Sequence, residues 1–321
     1  MEIMNYSRFI LSLAQVLLIL GLAPAVSWFI KKMKAASQNR VGPTLLQVYA
    51  DLRKLFRKGM VISERASWIF HCMPYVLFSV TLVAASMVPV FFEGSLLGFM
   101  GDLIVFVYLL ALGKFFLALA ALDTGTSFGG MGSSREMTLS SLAEPALLLA
   151  LFALAYHAKT LSLEGLAAHF NRQASFRILF FTLPALGALL IVAIAESGRI
   201  PVDNPATHLE LTMIHEAMIL EYSGPYLALI EWSHEIKQLI FLSLLANVFF
   251  PWGLSNAEGI AGLLFSPAVY LLKIFSLAFV IGWIEILSAK LRLFRVPDLL
   301  GVAYVLAVLS LLGQLMMGRW M

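Results

Sequence analysis

Eight apolar runs of membrane-spanning length dominate this 321-residue chain. They cover about Phe9–Ile30, Cys72–Phe92, Leu103–Leu122, Leu139–His157, Phe176–Ala195, Leu239–Leu254, Leu263–Leu287 and Leu299–Met317. The hydrocarbon core of a bilayer takes roughly 20 consecutive apolar residues in a helix. Lipid offers no partner to an unpaired backbone group, so such runs fold as helices that satisfy their own N–H and C=O groups. The predicted fold class is an all-α integral membrane protein of about eight transmembrane helices. The sixth run is short and can begin earlier, near Pro225. The first passes a cleavage-like Ala23-Pro24-Ala25 and stops only at Lys31, Lys32 and Lys34, the pattern of a retained helix. Composition agrees: 60% of residues are hydrophobic and 13% charged, about half the charged share of a soluble domain. No repeat or low-complexity linker divides the chain, which reads as one membrane domain over 1–321.

Basic residues orient the spans. The segment between the first two runs holds nine: Lys31, Lys32, Lys34, Arg40, Arg53, Lys54, Arg57, Lys58 and Arg65. The later odd-numbered loops add Arg135, Arg199, Lys237, Lys290, Arg292 and Arg295, making fifteen, against five at the other side: Arg8, Lys159, Arg172, Arg177 and Arg319. The bias predicts both termini outside and the long loops one and five in the cytoplasm. In loop one, Gly42-Pro43 signals a turn. Leu45, Leu46, Val48, Tyr49, Leu52, Leu55 and Phe56 then recur at helical spacing between basic residues. The pattern predicts a basic amphipathic helix on the membrane surface. It suits anionic headgroups or a docking partner; Asp51, set among the bases, favours the latter.

Electron chemistry within the chain is excluded by what is missing. A single cysteine, Cys72, cannot form an intrachain disulfide or hold an iron–sulfur cluster, which normally needs four ligands. There is no CxxC, HExxH or phosphate-binding glycine loop. Phe128-Gly129-Gly130-Met131-Gly132 lacks a preceding strand and reads as a flexible inner loop that moves or packs closely. No catalytic residue, metal site or nucleic-acid surface is expected.

Ala195–Lys237 is the stretch richest in ionisable groups, with seven acids and three histidines between apolar runs. An acid in or beside lipid costs roughly 2.5–3.5 kcal/mol on insertion scales, so intramembrane acids are a signal of function. The natural use is moving a charged species, most simply a proton.

Two motifs carry a resemblance. RVGP…LLQ…AD…KL in loop one, and AES-R-P-D followed by EYSG in loop five, resemble the membrane subunit shared by respiratory complex I and energy-converting nickel–iron (NiFe) hydrogenases. The resemblance covers nearly the whole chain. The quinone-reducing branch usually carries SYE near the start of the fourth span and further acids after the Asp of loop five. Here the corresponding stretches are GSSREMTLSSLAEPALLL, with Ala143-Glu144-Pro145, and Pro205-Ala206-Thr207-His208. Those stretches, and a short loop one, resemble the hydrogenase branch of formate-hydrogenlyase and hydrogenase-4 type. The resemblance implies a location in the bacterial cytoplasmic membrane. It implies hydrogenase large and small subunits, an iron–sulfur protein and antiporter-like membrane subunits as partners. The NiFe centre and iron–sulfur clusters would reside in those partners, with no cofactor in this chain.

Individual residues can then be assigned. Glu196 lies three positions before Arg199, a spacing at which the two pair on a helix, with Pro201 ending the helix beyond. Spacing alone leaves an interfacial ion pair and a proton-path mouth equally open; the resemblance favours the path. Asp203 is an ordinary turn acid unless the resemblance holds. His208 to Glu221 reads as a helix with Glu210 and Glu221 on one face, ~16 Å apart by helix rise. Glu216 points elsewhere, and His215 shares a face with His208. That segment is mostly apolar, so its acids should be partly desolvated and their proton affinity raised. Glu231 and Glu235 form a like-charged i,i+4 pair beside His234 and Lys237, which favours one staying protonated. Lys114, mid-span, is a cross-helix partner for Glu144, as structural pair or as relay; the resemblance favours function for Glu144. Lys273 and Glu285 rank lower, as residues able to snorkel. The expected ion path comprises Glu144, Glu196, Asp203, Glu210, Glu216, Glu221, Glu231, Glu235 and Lys114. Arg40, Asp51, Arg199, His208 and His215 are expected in coupling or structural roles. Two alternatives stay open: a quinone-site subunit of complex I, and a structural membrane anchor that moves no ions.

Overall fold

The structure, a computed structural model, describes residues 2–64, 66–172, 176–203, 213–254 and 260–319. Eight long helices among them coincide with the apolar runs: α1 (Glu2–Ser37), α3 (Trp68–Met87), α4 (Leu103–Asp123), α5 (Ser127–Ala158), α7 (Phe176–Glu196), α9 (Gly224–Phe249), α10 (Ile260–Leu287) and α11 (Val296–Arg319). Six described helices are long and apolar enough to cross a membrane, and Thr182–Glu196 of α7 is a shorter apolar stretch. α9 is interrupted by Glu231, Glu235 and Lys237. Three shorter helices join them: α2 (Gln47–Arg57), α6 (Leu163–Arg172) and α8 (His215–Ile219).

Local chemistry sets the boundaries. Ser67 Oγ accepts the Ile69 N–H at 3.2 Å and starts α3, while Asp102 accepts the Ile104 N–H at 3.3 Å and starts α4, the usual task of an N-cap side chain. Thr126 Oγ1 accepts the Gly129 N–H at 3.2 Å. The glycine-rich stretch is therefore not the loop expected from sequence but the first turns of α5. Gly132 serves close packing: a Cβ there would meet Ala217, Met218 and the Ile214 carbonyl at 3.0 Å. Farther along, Ala146, Ala150 and Ala153 of α5 and Ala303 and Ala307 of α11 are fully buried. Small residues at such crossings let helix backbones approach closely in a bilayer.

Two prolines tie the loops to the bundle. Proline lacks the N–H that the carbonyl four residues earlier needs. Pro24 thus frees the Leu20 carbonyl, which accepts from Trp232 Nε1 of α9 at 3.1 Å. The adjacent Gly21 carbonyl accepts from the Tyr49 hydroxyl of α2. Pro74 frees the Phe70 carbonyl, and the Tyr222 hydroxyl donates to it at 3.0 Å while its ring stacks on Phe70 at 4.0 Å. Loop one and loop five also meet directly, since the Ser223 hydroxyl donates to the Val61 carbonyl at 3.0 Å and accepts the Val61 N–H at 2.9 Å.

At the opposite end, the chain after α3 is irregular and needs side chains to satisfy it. Gln15 Oε1 accepts the Val90 N–H at 2.6 Å, and Asn247 Nδ2 donates to the Pro89 and Val90 carbonyls at 2.7 and 2.8 Å. α6 lies at this end and was not anticipated. Its ten residues are too few to stand out as a span.

Candidate functional site

Four helices bring a charged cluster into the bundle near its basic end. Lys114 of α4 forms an ion pair with Glu196, the last residue of α7. Its Nζ also lies 3.6 Å from Glu144 of α5 and donates to Ser140 Oγ at 3.2 Å. The other Glu196 oxygen accepts from Lys237 of α9 at 3.1 Å. Lys114 and Glu196 are buried, whereas the Glu144 side chain keeps 30% of its surface exposed. The cross-helix approach of Lys114 to Glu144 is thus present, with Glu196 as the tighter partner. Glu136 adds a further acid, lining the small cavities on both sides of this cluster. It escaped sequence reasoning because it lies between Phe128–Gly132, read as a loop, and Leu139, where the fourth apolar run begins. Placed on α5, Glu136, Ser140 and Glu144 share one i,i+4 stripe.

The expected pairing of Glu196 with Arg199 does not occur. α7 ends at Glu196, and Gly198 takes a left-handed φ of +53°. The Gly198 and Arg199 N–H groups close back on the Ala195 and Ile194 carbonyls at 3.1 and 3.2 Å. This helix stop turns Arg199 off the face that carries Glu196. Arg199 instead donates to Glu285 of α10 at 3.3 Å and to Gln238 Oε1 at 3.0 Å, and Lys34 donates to the other Glu285 oxygen at 2.7 Å. Glu285 is therefore buried between two cations rather than snorkelling.

Asp203 is not an ordinary turn acid. It is buried, accepts the Ile214 and His215 N–H groups at 3.1 and 3.2 Å, and pairs with Lys290 at 3.2 Å. It thereby ties loop five to the segment after α10. His208 and Glu210 fall outside the described residues. The long helix expected over 208–221 is replaced at its described end by α8, because Asp203 captures the N–H groups of residues 214 and 215 and a turn follows at Leu220 and Glu221. Glu221 is exposed and away from the cluster. The His215 and His234 rings lie 4.7 Å apart, and His234 Nε2 is 3.0 Å from the Ser197 carbonyl. Burial, then the Lys237 ammonium, lowers His215 to about 4, so its neutral ring is the working form.

A cavity of about 560 Å³ opens beside these groups. Glu216, Glu231 and Glu235 line it, facing Lys31, Lys34 and Arg40. Glu216 is raised to about 7, chiefly by burial and next by Glu231. Glu235 is buried, and its Oε2 has no hydrogen-bond partner among the described residues. Asp51 lies elsewhere: exposed on α2, it accepts from Gln47 Nε2 at 3.2 Å. The structure thus gathers Lys114, Glu144 and Glu196 in one cluster and Glu216, Glu231, Glu235, His215 and Arg40 around one cavity, with Arg199 at the cavity wall. Lys237, Glu136, Glu285 and Gln238 are the members that sequence reasoning left out of the site.

The described residues thus form an all-α, multi-pass membrane protein with ionised side chains gathered at one end, and the comparisons give that architecture a family. The profile of the NADH dehydrogenase family matches residues 10–317, and the chain belongs to that family. It is 36% identical over 305 residues to hydrogenase-4 component C of Escherichia coli (strain K12), covering 94% of each chain. It is 33% identical to formate hydrogenlyase subunit 4 of the same organism, covering 94% of this chain and 97% of that one. An NADH-quinone oxidoreductase subunit from Thermomicrobium roseum is 29% identical over 92% of this chain and 90% of its own length. The fold is shared with a chain of the membrane-bound sulfane sulfur reductase, an archaeal respiratory membrane complex, at a TM-score of 0.82 and 21% identity over 96% of this chain and 99% of that one.

Proposed function

We propose that this chain is the membrane-anchoring, proton-translocating subunit of a multi-subunit energy-converting NiFe hydrogenase of formate-hydrogenlyase type. It sits in a bacterial cytoplasmic membrane with loops one, three and five turned to the cytoplasm. Hydrogenase large and small subunits and an iron–sulfur protein dock on those loops, and antiporter-like subunits lie alongside in the membrane. The NiFe centre and iron–sulfur clusters belong to the partners and supply the redox chemistry. The identity to hydrogenase-4 component C and formate hydrogenlyase subunit 4 supports that placement.

The observation that carries the ion-moving role is the run of groups from the 560 Å³ cavity to Glu144. Glu216, Glu231 and Glu235 line the cavity, His234 and Lys237 follow on α9, and Lys237, Glu196, Lys114 and Glu144 are joined pair by pair. A buried ion pair is a weak stabiliser compared with packed apolar residues, so a fold that needed only anchoring would not require this arrangement. Protons loaded on the cavity acids pass to the cluster when a redox event above it alters the local charge. In the assembled complex in proteoliposomes, Glu144→Gln should abolish proton movement per hydrogen evolved while hydrogen evolution continues. Unchanged proton movement would reduce the chain to an anchor.

The same cavity favours a second reading, as a quinone site, by its place beside α1 and by a volume within the range of roughly 300–1,000 Å³ usual for ligand pockets. Its lining argues the other way. Ligand pockets carry only a small number of placed polar groups, whereas this one is lined by Lys31, Lys34, Arg40, Arg199 and four glutamates. Hydrogen evolution that is insensitive to quinone-site inhibitors in the intact complex separates the two.

A further inference from the structure

Three cavities meet around one imidazole at the basic end of the bundle. Beside the 560 Å³ cavity lie two much smaller ones of about 20 Å³ each. The first is walled by Glu136, Ser140, Glu196 and Asp203 together with His215. The second is walled by Lys114, Glu136, His234 and Lys237, again with His215. Among the described residues, Glu136 and His215 alone are common to both small cavities, and His215 alone lines the large one as well. His215 therefore stands between the large cavity and the charged cluster, with Glu136 on the cluster side of it.

The fold holds this position without using the imidazole. Asp203 Oδ2 accepts the His215 N–H at 3.2 Å, a bond that any other non-proline residue at 215 could make. Gly198 packs beneath both histidines: a Cβ there would lie 3.7 Å from His234 Cε1 and 3.9 Å from the His215 Cβ. The two rings are 4.7 Å apart, and His234 Nε2 donates to the Ser197 carbonyl at 3.0 Å. In a neutral ring that leaves Nδ1 as an acceptor. The lowered proton affinity of His215 keeps its ring neutral too, with one nitrogen to give a proton and one to take one. An apolar side chain would fill the same space without the cost of burying those nitrogens. Each small cavity has room for about one water, and a buried water needs two to four polar partners. The carboxyl, ammonium and imidazole groups in the two linings supply them.

We infer that His215 is the proton-transfer residue joining the large cavity to the charged cluster, and that Glu136 is the acid that receives the proton. The inference rests on the reading of this chain as an ion path and names the step between its two halves. A proton from the cavity side binds one nitrogen of the His215 ring, and the other nitrogen releases its proton through water to the Glu136 carboxylate. One proton enters and one leaves, the ring ends neutral, and no electron moves. Rotation of the ring restores the starting tautomer. From Glu136 the proton has Ser140 and Glu144 ahead of it on the same stripe of α5.

The test uses the assembled complex in proteoliposomes and reads protons moved per hydrogen evolved in His215→Ala, Glu136→Gln and Glu144→Gln. Imidazole or pyrazole is then added; the two rings have the same size, but pyrazole is far the weaker base. The junction predicts a count of about one tenth or less in His215→Ala and in Glu136→Gln, with hydrogen evolution retained. Imidazole, entering the vacated space from the 560 Å³ cavity, should restore most of the count in His215→Ala and none in Glu136→Gln, and pyrazole should restore neither. An unchanged count in His215→Ala or Glu136→Gln overturns the junction. Equal rescue by both rings also overturns it, because the imidazole would then only fill space. Loss in Glu144→Gln alone discards the junction and keeps the ion path, whereas unchanged counts in all three variants discard the ion path itself. Should His215→Ala fail to assemble, His215→Gln, which keeps a polar side chain without a base, is read by the same criterion.

Discussion

Glu196 and Glu216 are both acids at the basic end of the bundle, but their surroundings differ in kind. Glu196 has an ammonium on each oxygen, from Lys114 and Lys237. Glu216 faces other acids across the 560 Å³ cavity, and its proton affinity is raised by burial and then by Glu231. Compensated charge holds a structure together and resists change. Acids crowded against like charge sit near the point where a small change in field adds or removes a proton. In the proposed function this difference divides the labour, with the cavity acids taking up protons and the cluster around Glu196 fixing the geometry through which they leave.

The sharpest way to break this comparison is to remove the shared carboxylate. Glu196→Gln leaves Lys114 and Lys237 without their common partner. Breaking a buried pair from one side costs about 3–5 kcal/mol, enough to cut the amount of assembled complex in the membrane severely. The double variant Lys114→Met with Glu196→Gln should recover part of the lost assembly, because the stranded cation goes with the anion. Equal losses in single and double variants, measured as complex yield and thermal stability, would show that Glu196 has no special coupling to Lys114.

Next in size come the donors to the proline-freed carbonyls. Tyr222→Phe removes the hydroxyl that serves the Phe70 carbonyl, and Trp232→Phe removes the indole N–H that serves Leu20. An orphaned buried acceptor costs about 1–3 kcal/mol. Each variant should lower the melting temperature of the complex while leaving the proton count per hydrogen unchanged. A change in that count with no loss of stability would move these residues from the scaffold to the relay.

These contacts also mark where the sequence stopped being readable. The eight long helices follow from apolar runs, whose signal is local and strong. The bond from Tyr222 to Phe70 joins residues 152 positions apart, and no periodicity encodes it. The expected Glu196–Arg199 pair failed for a local reason, since the i,i+3 rule presumes a helix that Gly198 ends. Glu136 was lost to a composition rule: the glycines before it suggest a loop, whereas Gly132 is small because α8 packs against it. The acids of Ala195–Lys237 stood out by type, but their division between cluster and cavity depends on which helix each one faces.

Glu216 gives a smaller effect with a defined sign. Its carboxyl is raised from 4.5 to about 7. A raised carboxylate favours the folded state in its neutral form, so its contribution is complete below the ordinary value and is lost as pH rises through about 7. Thermal stability should therefore decline as the pH is taken upward across neutrality, and Glu216→Gln should flatten that decline. His215 runs oppositely: lowered to about 4, it supports the fold above its ordinary 6.5 and loses that support as pH falls toward 4. A Glu216→Gln variant with an unaltered slope would place the titrating acid elsewhere on the cavity, with Glu231 and Glu235 as the remaining choices.

The smallest effect is expected at Asp51, and it bears on which side of the comparison a sequence motif belongs to. Asp51 stands in the loop-one pattern that carries the family resemblance, and its placement among bases suggested a coupling role. In the fold it is exposed, hydrogen-bonded among the described residues to Gln47 one turn earlier, and lines neither the cavity nor the cluster. An exposed contact of this kind contributes a few tenths of a kcal/mol. Asp51→Asn should therefore leave the isolated stability of the chain and its proton transfer unchanged. If Asn at this position weakens retention of the soluble subunits on the membrane, the acid acts on a partner surface, and its place in the motif reflects docking rather than ion movement.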